Sequence, residues 1–202
     1  MPKHHIVESF LGPELRDALL DVALGNEGGF EAATTYKDGA ETVHPGQRRA
    51  RKYAGKLGPI GGRIKAEVEQ AAPALAQALG MPAFSVARIE LELVASNDGD
   101  GFGAHIDTIT GRTRLATGDL ATARAISAVY YLYREPKAFS GGQLRFHPFG
   151  GQAGATEDVE PRQDMLVAFP SFLPHEVLEV RCPSRAFADS RFSVNAWIHK
   201  AL

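Results

Sequence analysis

Two histidines and an aspartate are the residues of this sequence best suited to metal chemistry. His105 and Asp107 stand two apart in GFGAHIDT, and His175 follows about seventy residues later in FPSFLPHEV. On a β-strand, residues two apart project from the same face, so His105 and Asp107 would point together. If the strand of His175 crosses nearby, two imidazoles and one carboxylate would form one face of an octahedral site. Non-haem Fe(II) centres use this ligand set, with the opposite positions open for a chelating co-substrate and dioxygen.

A second group of residues, near the C-terminus, suits a carboxylate ligand. In SRFSVNAWIHK, Arg191 and Ser193 would share one strand face with Asn195 and Trp197. The other face would be apolar, with Phe192, Val194, Ala196 and Ile198. A guanidinium can grip both oxygens of a carboxylate, and a hydroxyl can add a third bond. A buried Arg191 needs an anionic partner, and none lies on its own face; the alternative is an acidic residue elsewhere in the chain.

A third candidate is Tyr131 in AISAVYYLYREP. On a strand it would share a face with Val129 and Ser127, so its phenol could donate a hydrogen bond to the same carboxylate. The alternative interpretation is an aromatic side chain that only packs within the strand.

The first 80 residues are predicted to be mainly helical. One helix should open at Pro13 and stop at Gly25, and a second should begin near Pro59. Pro73 should break or restart the second helix, and Gly80 should end it. The segment between the helices is predicted to be a loop with some strand.

From residue 83 the hydrophobic period changes to two, which indicates strands. They are predicted at 88–93, 101–107, 124–133, 142–147, 164–169, 174–181 and 190–199, with a short one before Pro161. Helices followed by about eight short strands favour an α+β fold with a β-sandwich or barrel. We expect a single domain over 1–202, with a helical support in 1–82 and the catalytic core in 83–202.

Two segments could contact a substrate. The basic cluster Arg48, Arg49, Arg51 and Lys52 is either a solvated face or a substrate-facing edge. The segment 108–122 follows Asp107 directly and is rich in Gly and Thr, so it is predicted to be a loop. Because both of its ends would be tied to the site, it is a candidate lid; the alternative is a solvated connector.

The order HxD, YYL, GGxLRF, FPS, PHEV and RFSVNxW resembles the prolyl 4-hydroxylase-like branch of the Fe(II)/2-oxoglutarate-dependent oxygenases, over about residues 85 to 200. The resemblance implies a double-stranded β-helix, or jelly roll, flanked by N-terminal helices. It also implies that the triad binds iron and that Tyr131 and Arg191 bind 2-oxoglutarate. Leu144, after the Gly pair, would form an apolar wall of the same pocket. The implied reaction is hydroxylation with Fe(II), 2-oxoglutarate and O2, with ascorbate as a candidate addition.

The sequence departs from this family pattern in two places. Arg191 lies sixteen residues after His175, farther than in compact members, so Arg185 is a rival; the match of RFSVNAW to a final strand favours Arg191. About ten residues before the first ligand, many hydroxylases of this branch have Tyr. This chain has Ala95 there, followed by Ser96, so the near side of the pocket is expected to differ.

Composition sets the wider limits. The chain has 202 residues, of which 44% are hydrophobic and 23% are charged, and these values are ordinary for a globular domain. Its net charge of −2 argues against a nucleic-acid binder. The single cysteine, Cys182, fits a reducing compartment, and the sequence has neither a long apolar run nor the apolar core of a signal peptide. We therefore expect a soluble cytoplasmic protein with no nucleic-acid or membrane partner.

Two other function classes compete with an oxygenase. A cupin-type isomerase or metal-dependent hydrolase could use the same triad, but it gives Arg191, Ser193 and Tyr131 no role. A non-catalytic β-sandwich binding module would leave the triad without a reason to converge. The expected substrate is a prolyl or other aminoacyl group, an amino acid or a small metabolite. The sequence does not indicate an oligomeric state.

Overall fold

The computed structural model describes residues 4–37, 40–108, 121–148 and 155–202. Within these ranges the chain forms two α-helices and a set of mostly short strands. The helices are α1 (Gly12–Gly25) and α2 (Gly58–Ala78), with 3-10 turns at Glu27–Gly29 and Phe187–Asp189. The strands are β1 (His5–Val7), β2 (Phe30–Ala32), β3 (Thr35–Lys37), β4 (Ala40–Thr42), β5 (Arg48–Arg49), β6 (Arg51–Tyr53), β7 (Val86–Ser96), β8 (Gly101–His105), β9 (Thr122–Leu132), β10 (Ser140–Gly141), β11 (Leu144–Phe146), β12 (Glu157–Val159), β13 (Met165–Pro170), β14 (His175–Val177), β15 (Val180–Arg181) and β16 (Arg191–Ala201).

Two antiparallel sheets form the body of the fold. The major sheet has the strand order β1-β13-β9-β16-β7-β6-β2, and the minor sheet has the order β12-β11-β14-β8-β5. Side chains from both sheets meet in one apolar cluster that includes Tyr131, Leu144, Phe146 and Phe169. The sheets therefore pack face to face, and the predicted jelly roll with flanking helices is confirmed.

The helices cover the outer face of the major sheet. Leu15 and Leu19 of α1 and Ile64 and Val68 of α2 belong to a second apolar cluster, which contains Phe192 and the other even-numbered apolar residues of β16. The predicted alternation of β16 is confirmed, since this apolar face meets the helices and the polar face is left to the inter-sheet space.

Helix α2 corrects one prediction. The helix runs without interruption through Pro73, which was expected to break or restart it. Proline removes one hydrogen bond, and the buried face on both sides of it, with Ala72, Leu75 and Ala76, offsets that loss. The expected end near Gly80 is confirmed; this residue has φ +67° and donates its N–H to Gln77.

The N-terminal part contributes more than helices. Strands β1, β2 and β6 extend the major sheet, and β5 forms one edge of the minor sheet. The segment predicted as loop with some strand thus places Arg48 and Arg49 beside the inter-sheet space. No helix in the described part of the chain is long and apolar enough to cross a membrane.

Asp164 ties α1 to the major sheet. Its Oδ1 accepts hydrogen bonds from the Leu11 N–H at 2.9 Å and from the Tyr130 hydroxyl at 2.8 Å. Its Oδ2 accepts the Gly12 N–H at 3.0 Å. Since Leu11 itself provides no side-chain cap, a carboxylate from the turn before β13 satisfies the first N–H groups of the helix.

Candidate active site

Pairing of β8 with β14 brings the three predicted metal ligands together. His175 is the direct partner of His105 in this antiparallel ladder. Asp107 lies just beyond β8, where its N–H donates to the Ser171 carbonyl at 2.9 Å. The ligand atoms of the three side chains all lie within 4.8 Å of one another. The Asp107 carboxylate is 3.6 Å from His105 Nε2 and 3.7 Å from His175 Nε2, so a single cation could contact all three.

The backbone fixes both imidazole rings. The Nδ1 of His105 is 2.9 Å from the Gly103 carbonyl, and the Nδ1 of His175 is 2.8 Å from the Leu173 carbonyl. A carbonyl can only accept, so each Nδ1 carries a proton, and in the neutral form of the ring Nε2 presents a lone pair. This tautomer is the one that binds a metal through Nε2, with the second nitrogen held by an outer partner.

The electrostatics agree with a cation site. Burial, together with the neighbouring His175, lowers the pKa of His105 to about 4, so its ring is neutral near pH 7. Burial alone would raise the pKa of Asp107, but His175 and His105 bring that pKa below its usual value. A neutral His105 beside an ionised Asp107 is the combination of protonation states that metal ligation needs from these two groups.

Strand β16 supplies the opposite side of the pocket. Arg191, Ser193, Asn195 and Trp197 all line it, as their shared strand face predicts. Ser193 lies directly opposite Tyr131 on β9, and the Arg191 guanidinium carbon is 5.3 Å from the centre of the Tyr131 ring. The residues predicted to bind a carboxylate are thus neighbours.

Polar atoms of this group lack partners among the described residues. Arg191 is 3% exposed, and its Nη2 donates to the Ser96 hydroxyl at 3.2 Å. Its Nε and Nη1, and the Tyr131 hydroxyl, are buried without a hydrogen-bond partner there. Burial raises the pKa of Tyr131 to about 12, against the opposing charge of Arg191, so the phenol keeps its proton. A buried cation beside a free donor hydroxyl fits an anionic ligand that accepts hydrogen bonds.

The rival arginine lies elsewhere. Arg185 has a side chain that is 79% exposed, and it pairs with Asp98 at 3.1 Å. It is not among the residues that line the pocket, whereas Arg191 is. Of the two arginines, only Arg191 therefore lies where a carboxylate in the pocket could reach it.

Leu144 and Ser96 form further parts of the wall. Leu144, expected as an apolar wall, lines the pocket and is 1% exposed. Ala95 lies in the apolar cluster under the helices, because alternate residues of β7 face opposite sides. Ala95, the position expected to differ from the family's Tyr, therefore does not face the pocket, and its neighbour Ser96 lines the pocket instead.

Arg48 was predicted only as part of a basic cluster, and its environment is specific. It is 8% exposed and pairs with Glu92 at 2.6 Å, and Glu92 also accepts the Asn195 amide at 3.1 Å. The ion pair joins β5 of the minor sheet to β7 of the major sheet beside the pocket. In the sequence, the alternation of RIELEL places Glu92 on the polar face of β7, but it does not identify Glu92 as the partner of Arg48.

The other members of the cluster differ in role. Arg51 donates to the Phe30 carbonyl, and Lys52 donates to the Thr34 hydroxyl. Arg49 is exposed and lines the pocket rim. Of the four cations, Arg48 and Arg49 line the pocket, and Arg49 is the exposed one of the two. The candidate lid over 108–122 lies mostly outside the described residues, which omit 109–120.

Trp197 and Arg124 lie on the Asp107 side. The Arg124 guanidinium is 4.0 Å from the centre of the Trp197 ring and pairs with Glu90 at 2.6 Å. Trp197 and Ser127 both contribute to lowering the pKa of Asp107. The sequence pattern predicted that Trp197 lies on this face. It gave no role to Arg124, which lies on β9 seven positions before Tyr131.

Comparison with known proteins agrees with this geometry. Residues 91–199 match the model of the 2OG-Fe(II) oxygenase superfamily. An uncharacterised PKHD-type hydroxylase of Synechocystis sp. is 32% identical over 204 residues, covering 97% of this chain and 63% of that protein. The chain therefore spans a little under two thirds of the length of this curated relative.

Two solved structures share the fold. A prolyl-4-hydroxylase of Pseudomonas putida superposes with a TM-score of 0.69 at 22% identity, covering 99% of this chain and 94% of that one. A prolyl hydroxylase of Trichoplax adhaerens, in complex with a peptide from the hypoxia inducible factor oxygen degradation domain, gives 0.67 at 18% identity, with 98% and 83% covered. Because the family model matches more than half of its residues, this chain belongs to the 2OG-Fe(II) oxygenase superfamily, whose cofactors are Fe(II), 2-oxoglutarate and O2.

Proposed function

We propose that this chain is an Fe(II)- and 2-oxoglutarate-dependent dioxygenase that hydroxylates an unactivated C–H bond. The observation that carries the proposal is one pocket that holds both a histidine–aspartate–histidine cluster and a buried arginine with unpartnered N–H groups. A metal site alone would fit several activities. The buried arginine beside the metal site fits a co-substrate that carries a second carboxylate.

In this proposal His105, Asp107 and His175 hold the iron, each with one atom. The two imidazole Nε2 atoms are free to bind because the backbone takes both Nδ1 protons. Three protein ligands leave other coordination positions open, and those positions admit the 2-oxo acid and dioxygen. When bound, the iron supplies oxidative chemistry that no side chain can perform.

Arg191, Tyr131 and Ser193 bind the distal carboxylate of 2-oxoglutarate in this proposal. Arg191 offers charge and N–H donors, and Tyr131 offers a hydroxyl that keeps its proton at neutral pH. Ser193 is the direct strand partner of Tyr131 and lies two residues from Arg191 on β16, so its hydroxyl can add a bond, while Leu144 packs against the carbon chain. A charge-assisted contact in a buried pocket contributes both affinity and orientation.

We propose a prolyl or other aminoacyl group as the substrate, in a peptide, an amino acid or a small metabolite. The names of the similar structures support the prolyl class, and the Trichoplax enzyme was solved with a peptide. We also place the protein in the cytoplasm, since its one cysteine, Cys182, is a free and buried thiol.

The competing functions explain less of the pocket. A cupin-type isomerase or a hydrolase would use the triad but would leave the buried Arg191 and Tyr131 donors without purpose. A non-catalytic binding module would have no need for two imidazoles with their Nε2 atoms turned toward one carboxylate.

Anaerobic titration tests the proposal directly. Addition of 2-oxoglutarate to the Fe(II)-loaded protein should produce a weak visible charge-transfer band, because the keto acid chelates the metal. Succinate formation should then be measured with prolyl peptides, free proline and other amino acids. Absence of the band under conditions where iron is bound would refute the proposed function.

A further inference from the structure

We propose that Ser96 is a positioning residue, whose hydrogen bond orients the Arg191 guanidinium toward the carboxylate of the co-substrate. Gly142, which has no side chain, leaves the room that the arginine occupies. This inference rests on the proposed function and assigns to the pocket a residue that binds neither iron nor substrate. In this proposal Ser96 acts through its hydrogen bond to Arg191.

The register of the major sheet fixes the two residues against each other. Arg191 on β16 is the direct partner of Ser96 on β7. Its Nη2 donates to the Ser96 hydroxyl at 3.2 Å, and both side chains are at least 97% buried. Because the two strands already fix both backbones, this hydrogen bond costs little further conformational entropy. The Ser96 hydroxyl therefore holds one end of the guanidinium in place.

The choice of a neutral partner preserves the charge of Arg191. Elsewhere in the same pocket, Arg48 is also buried, but the Glu92 carboxylate neutralises it. Among the described residues, Arg191 has no carboxylate within ion-pair distance, and its Nε and Nη1 stay open. A serine hydroxyl thus satisfies one nitrogen without pairing the guanidinium with a carboxylate, and the charge of Asp100 acts on Arg191 only from beyond ion-pair distance. An acidic residue at position 96 would compete with that ligand.

Gly142 leaves room for the arginine on its other side. Its φ is +69°, a conformation that favours glycine. A Cβ atom there would lie 2.9 Å from Arg191 Cδ and 3.1 Å from Nε. It would also meet Val180 Cγ2 at 2.9 Å, so neither neighbour can easily give way. Any side chain at this position would displace the arginine that Ser96 holds.

Substitutions of Ser96 make the inference testable. Ser96→Thr keeps the hydroxyl and Ser96→Val has nearly the same shape without it, so this pair isolates the hydrogen bond. Ser96→Asp adds an internal carboxylate. Each variant would be loaded with Fe(II) without oxygen and titrated with 2-oxoglutarate through the visible band, with iron affinity and the unfolding midpoint measured separately.

We expect Ser96→Val to bind 2-oxoglutarate about tenfold more weakly than Ser96→Thr, as loss of one hydrogen bond to a charged group predicts. Ser96→Asp should weaken binding by more than about 100-fold, because its carboxylate occupies the cation that the ligand needs. Iron affinity should be unchanged in all three variants. Gly142→Ala should weaken 2-oxoglutarate binding in the same way and also spare iron.

The outcomes separate this inference from the proposed function. If the wild-type protein gives no 2-oxoglutarate-dependent band, the proposed function itself fails. If the wild type gives the band but Ser96→Val and Ser96→Asp bind 2-oxoglutarate as tightly as Ser96→Thr does, only the positioning role is overturned. Parallel losses of iron affinity and unfolding midpoint would also overturn it, since they would mark Ser96 as a purely structural residue.

Discussion

His175 on β14 and His105 on β8 are direct partners in the minor sheet, with their ring centres 4.2 Å apart. The pairing explains how ligands seventy residues apart in the chain can reach one cation. It also makes the geometry of the site a property of the sheet, because a change of register would separate the two rings.

The first prediction concerns this pair. Replacing His175 by Ala should lower Fe(II) affinity by more than about 100-fold, since loss of an outer-shell partner alone costs about 10–100-fold. Measurement is by anaerobic Fe(II) titration. His147→Ala is the matched control, because this histidine follows β11 and contacts Glu176 on the minor sheet without joining the cluster. Wild-type iron affinity in His175→Ala would show that the triad is not the metal site.

The second prediction separates the two arginines. Arg191→Ala should weaken 2-oxoglutarate binding by about 2–5 kcal/mol. Part of this loss arises because the carboxylate of the ligand would be buried without a cationic partner. Arg185→Ala removes only an exposed pair with Asp98 and should change binding little. The visible band of the Fe(II) complex reports both affinities. A larger loss in Arg185→Ala than in Arg191→Ala would reverse the assignment.

Local patterns were sufficient to predict the strand faces and which of the candidate residues would lie side by side. Alternation along β16 placed Arg191 and Trp197 on one face, and the HxD spacing placed His105 and Asp107 together; the structure agrees. These inferences need only the geometry of one strand. The family resemblance supplied the rest, namely that the two segments would meet in one jelly roll.

Features that depend on distant partners were not predictable in the same way. The continuity of α2 through Pro73 depends on packing against the major sheet, and the burial of Arg48 depends on Glu92, forty-four positions later. Nothing local distinguishes Arg48 from Arg49, although the former is a buried inter-sheet pair and the latter an exposed rim residue. Pairing partners are chosen by the whole fold rather than by the segment.

The third prediction tests the anchor of α1. Asp164→Ala removes acceptors for Leu11, Gly12 and Tyr130 and should lower the free energy of unfolding by at least about 2 kcal/mol. Tyr130→Phe removes one of these bonds and should cost about 1 kcal/mol. Urea unfolding measures both. Equal stabilities of Asp164→Ala and the wild type would show that water replaces these contacts without loss.

The fourth prediction concerns the buried pair of Arg48 and Glu92. Glu92→Gln would leave the Arg48 cation without its counter-ion, and we expect a loss of about 3–5 kcal/mol in unfolding free energy. The double variant Arg48→Met with Glu92→Leu removes both charges and should lose less than the single one. A double variant that is less stable than Glu92→Gln would contradict this account of the pair.

The last prediction is a pH dependence that arises from Glu90. Arg88 on the same strand, Arg124 on β9 and His199 on β16 all contact its carboxylate, at 2.8, 2.6 and 3.4 Å. Burial alone would raise the pKa of Glu90, but His199 and Arg124 outweigh it and lower the pKa from 4.5 to about 2. A carboxyl group whose pKa is lower in the folded chain stabilises the fold when it is ionised.

The stabilisation by Glu90 should therefore be complete above about pH 4.5 and should disappear as the pH falls towards about 2. Wild type should be more stable than Glu90→Gln at pH 7, and the difference between their urea midpoints should shrink steadily below pH 4.5. Glu69→Gln, a substitution on the exposed face of α2, controls for loss of a negative charge and should leave the midpoint nearly unchanged at both ends of this range. A difference between wild type and Glu90→Gln that stays constant from pH 7 to pH 3 would show that the cations around Glu90 do not act through its ionised form.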